Sequence, residues 1–367
     1  MTMNNLTTHD IFQTEGIHPP KTLTIAITPD CNLSCSHCWV EAGEAPTTAH
    51  VPEWSLLNII RSFADLGGEN ICFTGGEPLR HPGWLRVMQF ANTIGLSDIT
   101  LQTNGILITD RHVKQLRLSG LPRLKVQISL DGATADVHDK VRGHGAFAAT
   151  MKGLDRLVQG GLGHNITIHF TEMRHNLEAF PDLLELAERM GFSSVTAGTL
   201  VSCSRTDMSD SIEPPDCDQY MRLIDRYNND SAFRKRYDSF GSMAALIWRK
   251  GDTLRAECCM FAEHPYLTPD GRLYPCLMFH NDDFSVTGVY EKGLEAALAE
   301  GAQLWSSLQK ISRSRLASLP ECQDCTGFAA CAGGCMGRAW SSCGSLLAKD
   351  DRCSVRQTIY QCYKPLN

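Results

Sequence analysis

Cys31, Cys35 and Cys38, in the run CNLSCSHCW, bring three thiolates onto one short stretch of chain. A 4Fe–4S cubane takes four ligands, so C-x3-C-x2-C spacing suits a cluster held by three cysteines with one iron left open. An open iron can bind a small chelating molecule and pass it an electron. The C-x2-C pairs of zinc ribbons close a tetrahedral site instead; a structural zinc or iron–sulfur loop is the plainer alternative. Further on, the short apolar run from Ile71 to Thr74 ends in Gly75-Gly76-Glu77-Pro78. Glycines at a strand end have no Cβ to hold a ligand off the backbone, and Glu77 adds an acceptor for an ammonium group.

A second group of cysteines lies toward the C-terminus. Cys258 and Cys259 are adjacent, and Cys276 follows the run LTPDGRLYP, in which Asp270-Gly271 is a favoured hairpin turn pair. Cys322, Cys325, Cys331 and Cys335 form a C-x2-C-x5-C-x3-C run, and Cys353 comes after a gap. The chain has 16 cysteines in 367 residues, and its N-terminus lacks the basic start and apolar stretch of an export signal. Cysteine enrichment in a reducing cytosol points to metal binding rather than disulfides, so a cytoplasmic iron–sulfur protein is expected. No apolar run reaches the roughly 20 residues of a bilayer-spanning helix. A formal net charge of −7 without Lys/Arg runs argues against a nucleic-acid surface.

The elements that must position these residues alternate in type. Short β-rich runs at 23–28, 70–74, 98–103, 125–130, 165–171 and 194–199 read as strands. Amphipathic stretches at 52–66, 82–93, 110–118, 147–160 and 177–190 read as helices. Such alternation means parallel strands with crossover helices; an open (β/α)6 partial barrel and a doubly wound sheet both satisfy it. In LKVQISLD, Val126, Ile128 and Leu130 face one way, and Lys125, Gln127, Ser129 and Asp131 face the other. Gln102 and Asn104 share a face, as do Thr167, His169 and Thr171. A barrel packed with side chains carries branched apolar residues inside, so polar inward faces predict a wet cavity for a ligand. Residues 201–255 break the alternation, with a turn at Pro214-Pro215 and a helix at 218–227, and read as a linker reaching over the barrel mouth. The expected division is an extension at 1–20, the barrel at 21–200, the bridging segment at 201–255 and a cysteine-rich domain at 256–367.

The two N-terminal motifs, in this order and on strand ends, resemble the hallmark of the radical S-adenosylmethionine (SAM) superfamily. The C-terminal spacings resemble its SPASM domain, which binds two auxiliary 4Fe–4S clusters. The resemblance implies an α/β fold: a partial (β/α)6 TIM-like barrel followed by a small cysteine-rich SPASM domain. It implies a SAM-binding cluster on Cys31, Cys35 and Cys38, with Gly75, Gly76 and Glu77 at the SAM amino group and Trp39 beside the adenine. Ser129 and Asp131 are expected near the ribose with Asn104 or Gln102 nearby, and Arg142 matches an arginine that pairs with the SAM carboxylate. As alternatives, Asp131-Gly132 is a mere turn and Arg142 a surface helix charge. Carried over, Cys322, Cys325, Cys331 and Cys353 hold the distal auxiliary cluster. Cys276, Cys335 and one or both of Cys258 and Cys259 hold the proximal one. The adjacent pair departs from the two separated cysteines usual there, so whether that cluster keeps an open iron stays undecided. Two zinc sites are the alternative for this region.

The chemistry implied is reductive cleavage of SAM to methionine and a 5′-deoxyadenosyl radical, which abstracts hydrogen from a substrate. The expected partners are a peptide or small-molecule substrate and an electron donor such as flavodoxin or ferredoxin. Peptide maturases of this kind often begin with a leader-binding domain of roughly 80 residues, and only about 20 precede the first strand here, so either a separate peptide-leader-binding protein is expected or the substrate is not a peptide. The expected activity is maturation of a peptide or protein by crosslinking, oxidation or epimerisation, with Cys203 or Cys217 a candidate hydrogen donor for the last. Sulfatase maturation is disfavoured, since those members carry an aspartate directly after the hairpin cysteine and this chain has Leu277. Tetrapyrrole side-chain modification is one alternative. A non-catalytic iron–sulfur electron carrier is another, and it would leave Gly75 to Glu77, Ser129 and Arg142 idle.

Overall fold

The computed structural model describes residues 7–43, 50–200, 212–250 and 263–363. Six parallel strands lie side by side in chain order: β1 Thr22–Ala26, β2 Asn70–Thr74, β3 Asp98–Thr103, β4 Leu124–Ser129, β5 Ile166–Glu172 and β6 Ser194–Thr199. A doubly wound sheet reverses its strand order at a switch point. This order never reverses, so every crossover turns the same way and the helices collect on one face. The sheet is therefore the open partial barrel, extended at both edges. β7, Gly241–Ser242, adds to β6, while β8, Tyr266–Leu267, joins β1 and turns back as β9, Leu273–Tyr274.

Side-chain alternation sorts the two faces. Ile71 and Phe73, Ile99 and Leu101, Val126 and Ile128, and Ile166, Ile168 and Phe170 are all buried in one core. The helices Glu53–Asp65, Trp84–Thr93, Ala146–Gln159 and Phe180–Met190 supply the other side of it. The opposite strand face carries Cys72, Thr74, Gln102, Gln127, Ser129, Thr167, His169 and Thr196, each half-buried. This is the polar lumen that the alternation predicts. Cys72 sits on this face in register with Thr24 and Thr100.

The sheet crosses the boundaries drawn from the sequence. β7 falls within 201–255 and the β8–β9 hairpin within 256–367. The helix expected at 218–227 spans Cys217–Asn229, and its Tyr220, Leu223, Ile224 and Tyr227 enter the barrel core. Ser231–Phe240 and Ala244–Lys250 are helices that the sequence reading left unassigned. Also unassigned were Ala135–Arg142, Cys353–Cys362 and the 25-residue helix Leu294–Ser318, against which Thr8–Glu15 packs. In the long helix Leu294, Leu298, Trp305 and Leu308 are buried at helical spacing. The turn at Asp270-Gly271 forms as expected, with Gly271 at φ +81°.

Buried ions join the C-terminal region to the barrel. Glu172 at the end of β5 accepts from Tyr220 Oη at 2.5 Å and lies 3.5 Å from Arg352 Nη1, and all three are fully or nearly fully buried. Arg338 Nη1 donates to Thr199 Oγ1 at 2.9 Å and to the Leu200 carbonyl at 2.8 Å. Removing one member of such a pair strands a charge away from water. Among the described residues, no helix is long and apolar enough to cross a membrane.

Candidate functional site

The cysteine loop leaves β1 and locks onto the end of β2 through its backbone. Gly76 N donates to the Thr28 carbonyl at 2.8 Å and Glu77 N to the Asp30 carbonyl at 2.7 Å. A Cβ on Gly75 would stand 2.4 Å from the Thr28 oxygen, and one on Gly76 would stand 2.3 Å from that of Asp30. Both glycines are thus required by the approach of the cysteine loop itself, before any ligand arrives. Arg80 pairs with Asp30 and reinforces the junction.

Glu77 lies at the centre of this junction with no solvent exposure. Its carboxylate accepts from Thr103 Oγ1 at 2.6 Å, Asn104 N at 2.8 Å and Leu79 N at 3.1 Å. Burial raises its pKa against the pull of these donors. The carboxylate ties β2 to β3. Asn104 Nδ2 continues the tie by donating to Asn32 Oδ1, inside the cysteine loop, at 2.9 Å. The Cys31 thiol is pushed up to about 12, chiefly by burial, with Glu77, Cys35 and Cys38 adding to the rise. A metal bound there must displace that proton.

On the other side, the helix Ala135–Arg142 docks its last turn on the loop. Ser36 N and Oγ both donate to the Val141 carbonyl, at 2.9 and 3.2 Å. Asp131 and Arg142 are both buried, so neither the bare-turn nor the surface-charge reading describes them. Arg142 Nε donates to Asp131 Oδ2 at 2.6 Å, and Thr171 N donates to Asp131 Oδ1 at 2.9 Å. Burial works to raise the Asp131 carboxyl, yet the Arg142 guanidinium, with His37 and His138, holds it well below the usual carboxylate range. Burial would lower Arg142, but Asp131 and the thiols of Cys35 and Cys38 raise it. The guanidinium therefore stands beside the three-cysteine loop.

Two residues here escaped the sequence reading. His37 lies 3.3 Å from Arg142 Nη2 and 3.4 Å from Asp131 Oδ2, and burial pushes its pKa down to about 4. His138 Nδ1 accepts from Asp131 N at 3.0 Å, and burial lowers it likewise to about 4. Both rings are neutral near pH 7. His37 had a signal, its place between Cys35 and Cys38; His138 had none.

Ser129 is half-buried on the lumen face, in register with His169. Gln102 Nε2 donates to Gln127 Oε1 at 3.2 Å. The Trp39 ring packs 5.1 Å from Tyr266 and edge-on at 4.5 Å from His280, against the β8–β9 hairpin.

Six C-terminal cysteines fall into two groups. The Cys322 thiol is raised by burial and by the neighbouring Cys353, Cys331 and Cys325. Cys276, pushed up to about 11 by burial, has Cys335 beside it. Asp350 sits between the groups, accepting from Cys335 N at 2.7 Å and from Arg356 Nη2 at 2.5 Å. Arg356 in turn faces Cys331 and Cys353. Cys203, Cys258 and Cys259 lie outside the described residues. Among the described residues no three His, Cys, Asp or Glu side chains converge on a single metal ion; each thiolate of a cubane meets its own iron and needs no such convergence.

Residues 25–187 match the family model of the Radical SAM superfamily. The chain is similar to the AdoMet-dependent heme synthase of Oleidesulfovibrio alaskensis, at 34% identity over 180 residues, 49% of this chain and 45% of that one. The aligned stretch therefore spans less than half of that relative. The similarity to the AdoMet-dependent heme synthase of Methanosarcina barkeri is 26% over 357 residues, 92% of this chain and 97% of that one. The mycofactocin maturase MftC of Mycobacterium tuberculosis is 28% identical over 323 residues, 88% of this chain and 79% of that one. Among solved structures, native anSMEcpe with bound AdoMet and Cp18Cys peptide shares the fold, with a TM-score of 0.73 at 17% identity over 94% of this chain and 96% of that one. Seated on an unreversed parallel sheet, the cysteine loop and its partner strand end lie within the residues that match the Radical SAM superfamily model.

Proposed function

We propose that this enzyme cleaves SAM reductively and abstracts hydrogen from a peptide substrate. When bound, a 4Fe–4S cluster supplies the electron, and SAM supplies the 5′-deoxyadenosyl radical. The observation that carries this reading is the locked junction of the cysteine loop with Gly76 and Glu77, with buried Arg142 beside it. Cys31, Cys35 and Cys38 would hold the cluster. Arg142, oriented by Asp131, would pair with the SAM carboxylate, a task that suits a planar guanidinium. The Gly75-Gly76-Glu77 strand end would receive the amino group. Ser129, on the lumen face, would take the ribose side, with Asn104 nearby.

In the same proposal Cys322, Cys325, Cys331 and Cys353 hold the distal auxiliary cluster. Cys276 and Cys335 begin the proximal one, which Cys258 or Cys259 completes. The proximity of these cysteines in two groups, with Arg356 beside the distal set, supports the assignment. Residues 256–367 then act as the auxiliary domain, 21–200 as the barrel, 201–255 as the bridge and 1–20 as the extension. A cytoplasmic flavodoxin or ferredoxin supplies electrons.

A second reading, modification of a tetrapyrrole side chain, is favoured by the alignment to the heme synthase of Methanosarcina barkeri over 97% of that protein. The test is anaerobic reconstitution, reduction and assay of 5′-deoxyadenosine, followed by mass analysis of a precursor peptide and of a propionate-bearing tetrapyrrole. Absence of 5′-deoxyadenosine with all clusters intact would refute SAM cleavage. A mass change in the tetrapyrrole alone would replace the peptide reading with the second.

A further inference from the structure

Between the cysteine loop and the β8–β9 hairpin lies a cavity of about 640 Å³. Its walls are aromatic: Trp39, Tyr266, Tyr274 and His280. The His280 ring stacks on Tyr274 at 4.7 Å, and Trp39 meets it edge-on at 4.5 Å. Burial pushes His280 down to about 4, so the ring is neutral and adds no positive charge near pH 7. Aromatic faces carry a negative quadrupole that attracts cations.

The rim is acidic. Among the described residues, Glu41, Asp270 and Asp282 line it together with a single cation, Arg272. Arg272 is engaged on both sides, with Nε 3.1 Å from Asp270 Oδ2 and Nη1 3.1 Å from Asp282 Oδ2. Three carboxylates against one guanidinium leave two negative charges uncompensated, and Arg272 is not free to receive an anion. Glu41 reaches the rim from a left-handed backbone, φ +53°, which a non-glycine residue seldom adopts without a constraint. The constraint is visible two residues on: a Cβ on Gly43 would stand 1.7 Å from the Leu33 carbonyl oxygen, so this segment is folded back onto the cysteine loop.

We propose that this cavity binds an organic cation, the ammonium or guanidinium group of a basic side chain in the substrate peptide, between its aromatic walls and acidic rim. The inference rests on the peptide reading for the source of the cation. Because Trp39 is bonded to Cys38 and Gly43, two residues after Glu41, packs against Leu33, a side chain held here anchors the peptide within one loop of the radical-generating site. A carboxylate-rich ligand is disfavoured by the same rim.

The test uses the reconstituted enzyme and blocked pentapeptides Ala-Ala-X-Ala-Ala, with X lysine, norleucine or glutamate, and free n-butylamine, by calorimetric titration. The lysine peptide is expected to bind about tenfold more tightly than its neutral norleucine isostere, with the glutamate peptide weakest. In Glu41→Gln/Asp270→Asn, two exposed positions whose amides keep their acceptor oxygens, that preference falls below about twofold. Tyr274→Leu, which removes one aromatic face and leaves the rim charges, reduces it separately. Equal binding of the lysine and norleucine peptides, or a preference unchanged in the charge variant with a native melting profile, overturns the site. Binding of n-butylamine as tight as that of the lysine peptide overturns the peptide-borne source. A lysine preference that persists while no peptide is ever modified marks failure of the peptide reading and leaves the cation site standing.

Discussion

Asp131→Asn tests the electrostatic core of the site. Asp131 has no solvent exposure and Arg142 only 9%, and they meet at 2.6 Å. Asparagine keeps an acceptor for Thr171 N, so the substitution withdraws the charge while leaving most of the shape. The guanidinium then remains buried without a counter-ion, and breaking a buried pair in this way costs about 3–5 kcal/mol. Urea unfolding under anaerobic conditions, read by tryptophan fluorescence, reports the loss as a lower midpoint at unchanged slope. In Asp131→Asn/Arg142→Met the stranded charge is gone, and a coupling of about 2 kcal/mol or more is expected to return. The pH dependence has a definite sign. Asp131 is held below its ordinary value, so its stabilisation is complete above the unfolded carboxylate range and is lost as pH falls through the folded pKa. The gap between wild type and Asp131→Asn is therefore constant from about pH 5 to pH 8 and closes only in acid. A single-variant cost under about 1 kcal/mol, or a double variant as unstable as the sum of the singles, would refute the argument.

Gly76→Ala forces a Cβ to within 2.3 Å of the Asp30 carbonyl oxygen; iron counting after reconstitution should show loss of the iron held by the Cys31 loop, with the iron of the proposed C-terminal sites retained. Glu172→Gln strands Arg352, which is 2% exposed, and should cost about 3 kcal/mol; hydrogen exchange should quicken first in the helices Cys217–Asn229 and Cys353–Cys362, which meet at that pair. Arg356→Met removes a cation facing Cys331 and Cys353, so the potential of one auxiliary centre should fall in an EPR-monitored redox titration while that of the SAM-binding centre stays. An unchanged auxiliary potential would remove Arg356 from that site.

The strand positions could be read from the chain because period-two alternation is local. The runs at 70–74, 98–103 and 194–199 coincide with β2, β3 and β6, and the others fall within two residues. The helix Ala135–Arg142 was missed because VHDKVR carries few apolar residues; it buries Val141 together with His138 and Arg142, the last two of which periodicity counts as polar. Leu294–Ser318 shows the opposite case, an apolar stripe in a region whose cysteines dominate the reading. Sheet order, the feature that separates a partial barrel from a doubly wound sheet, is a relation among strands and leaves no mark within any one of them.

What the sequence by itself determined was the chemistry available: three thiolates with one ligand missing, a glycine-rich strand end, a polar strand face and a cysteine-dense C-terminal region. These are matters of residue type and short spacing. Which groups meet was decided by tertiary structure alone. Glu77 turned to Thr103 and Asn104, some 26 residues away, and Asp131 to Arg142 and His37, while Trp39 turned to a hairpin more than 200 residues downstream. A buried charge takes whatever partner the fold brings within hydrogen-bonding distance, because leaving it unpaired costs more than any local preference can supply.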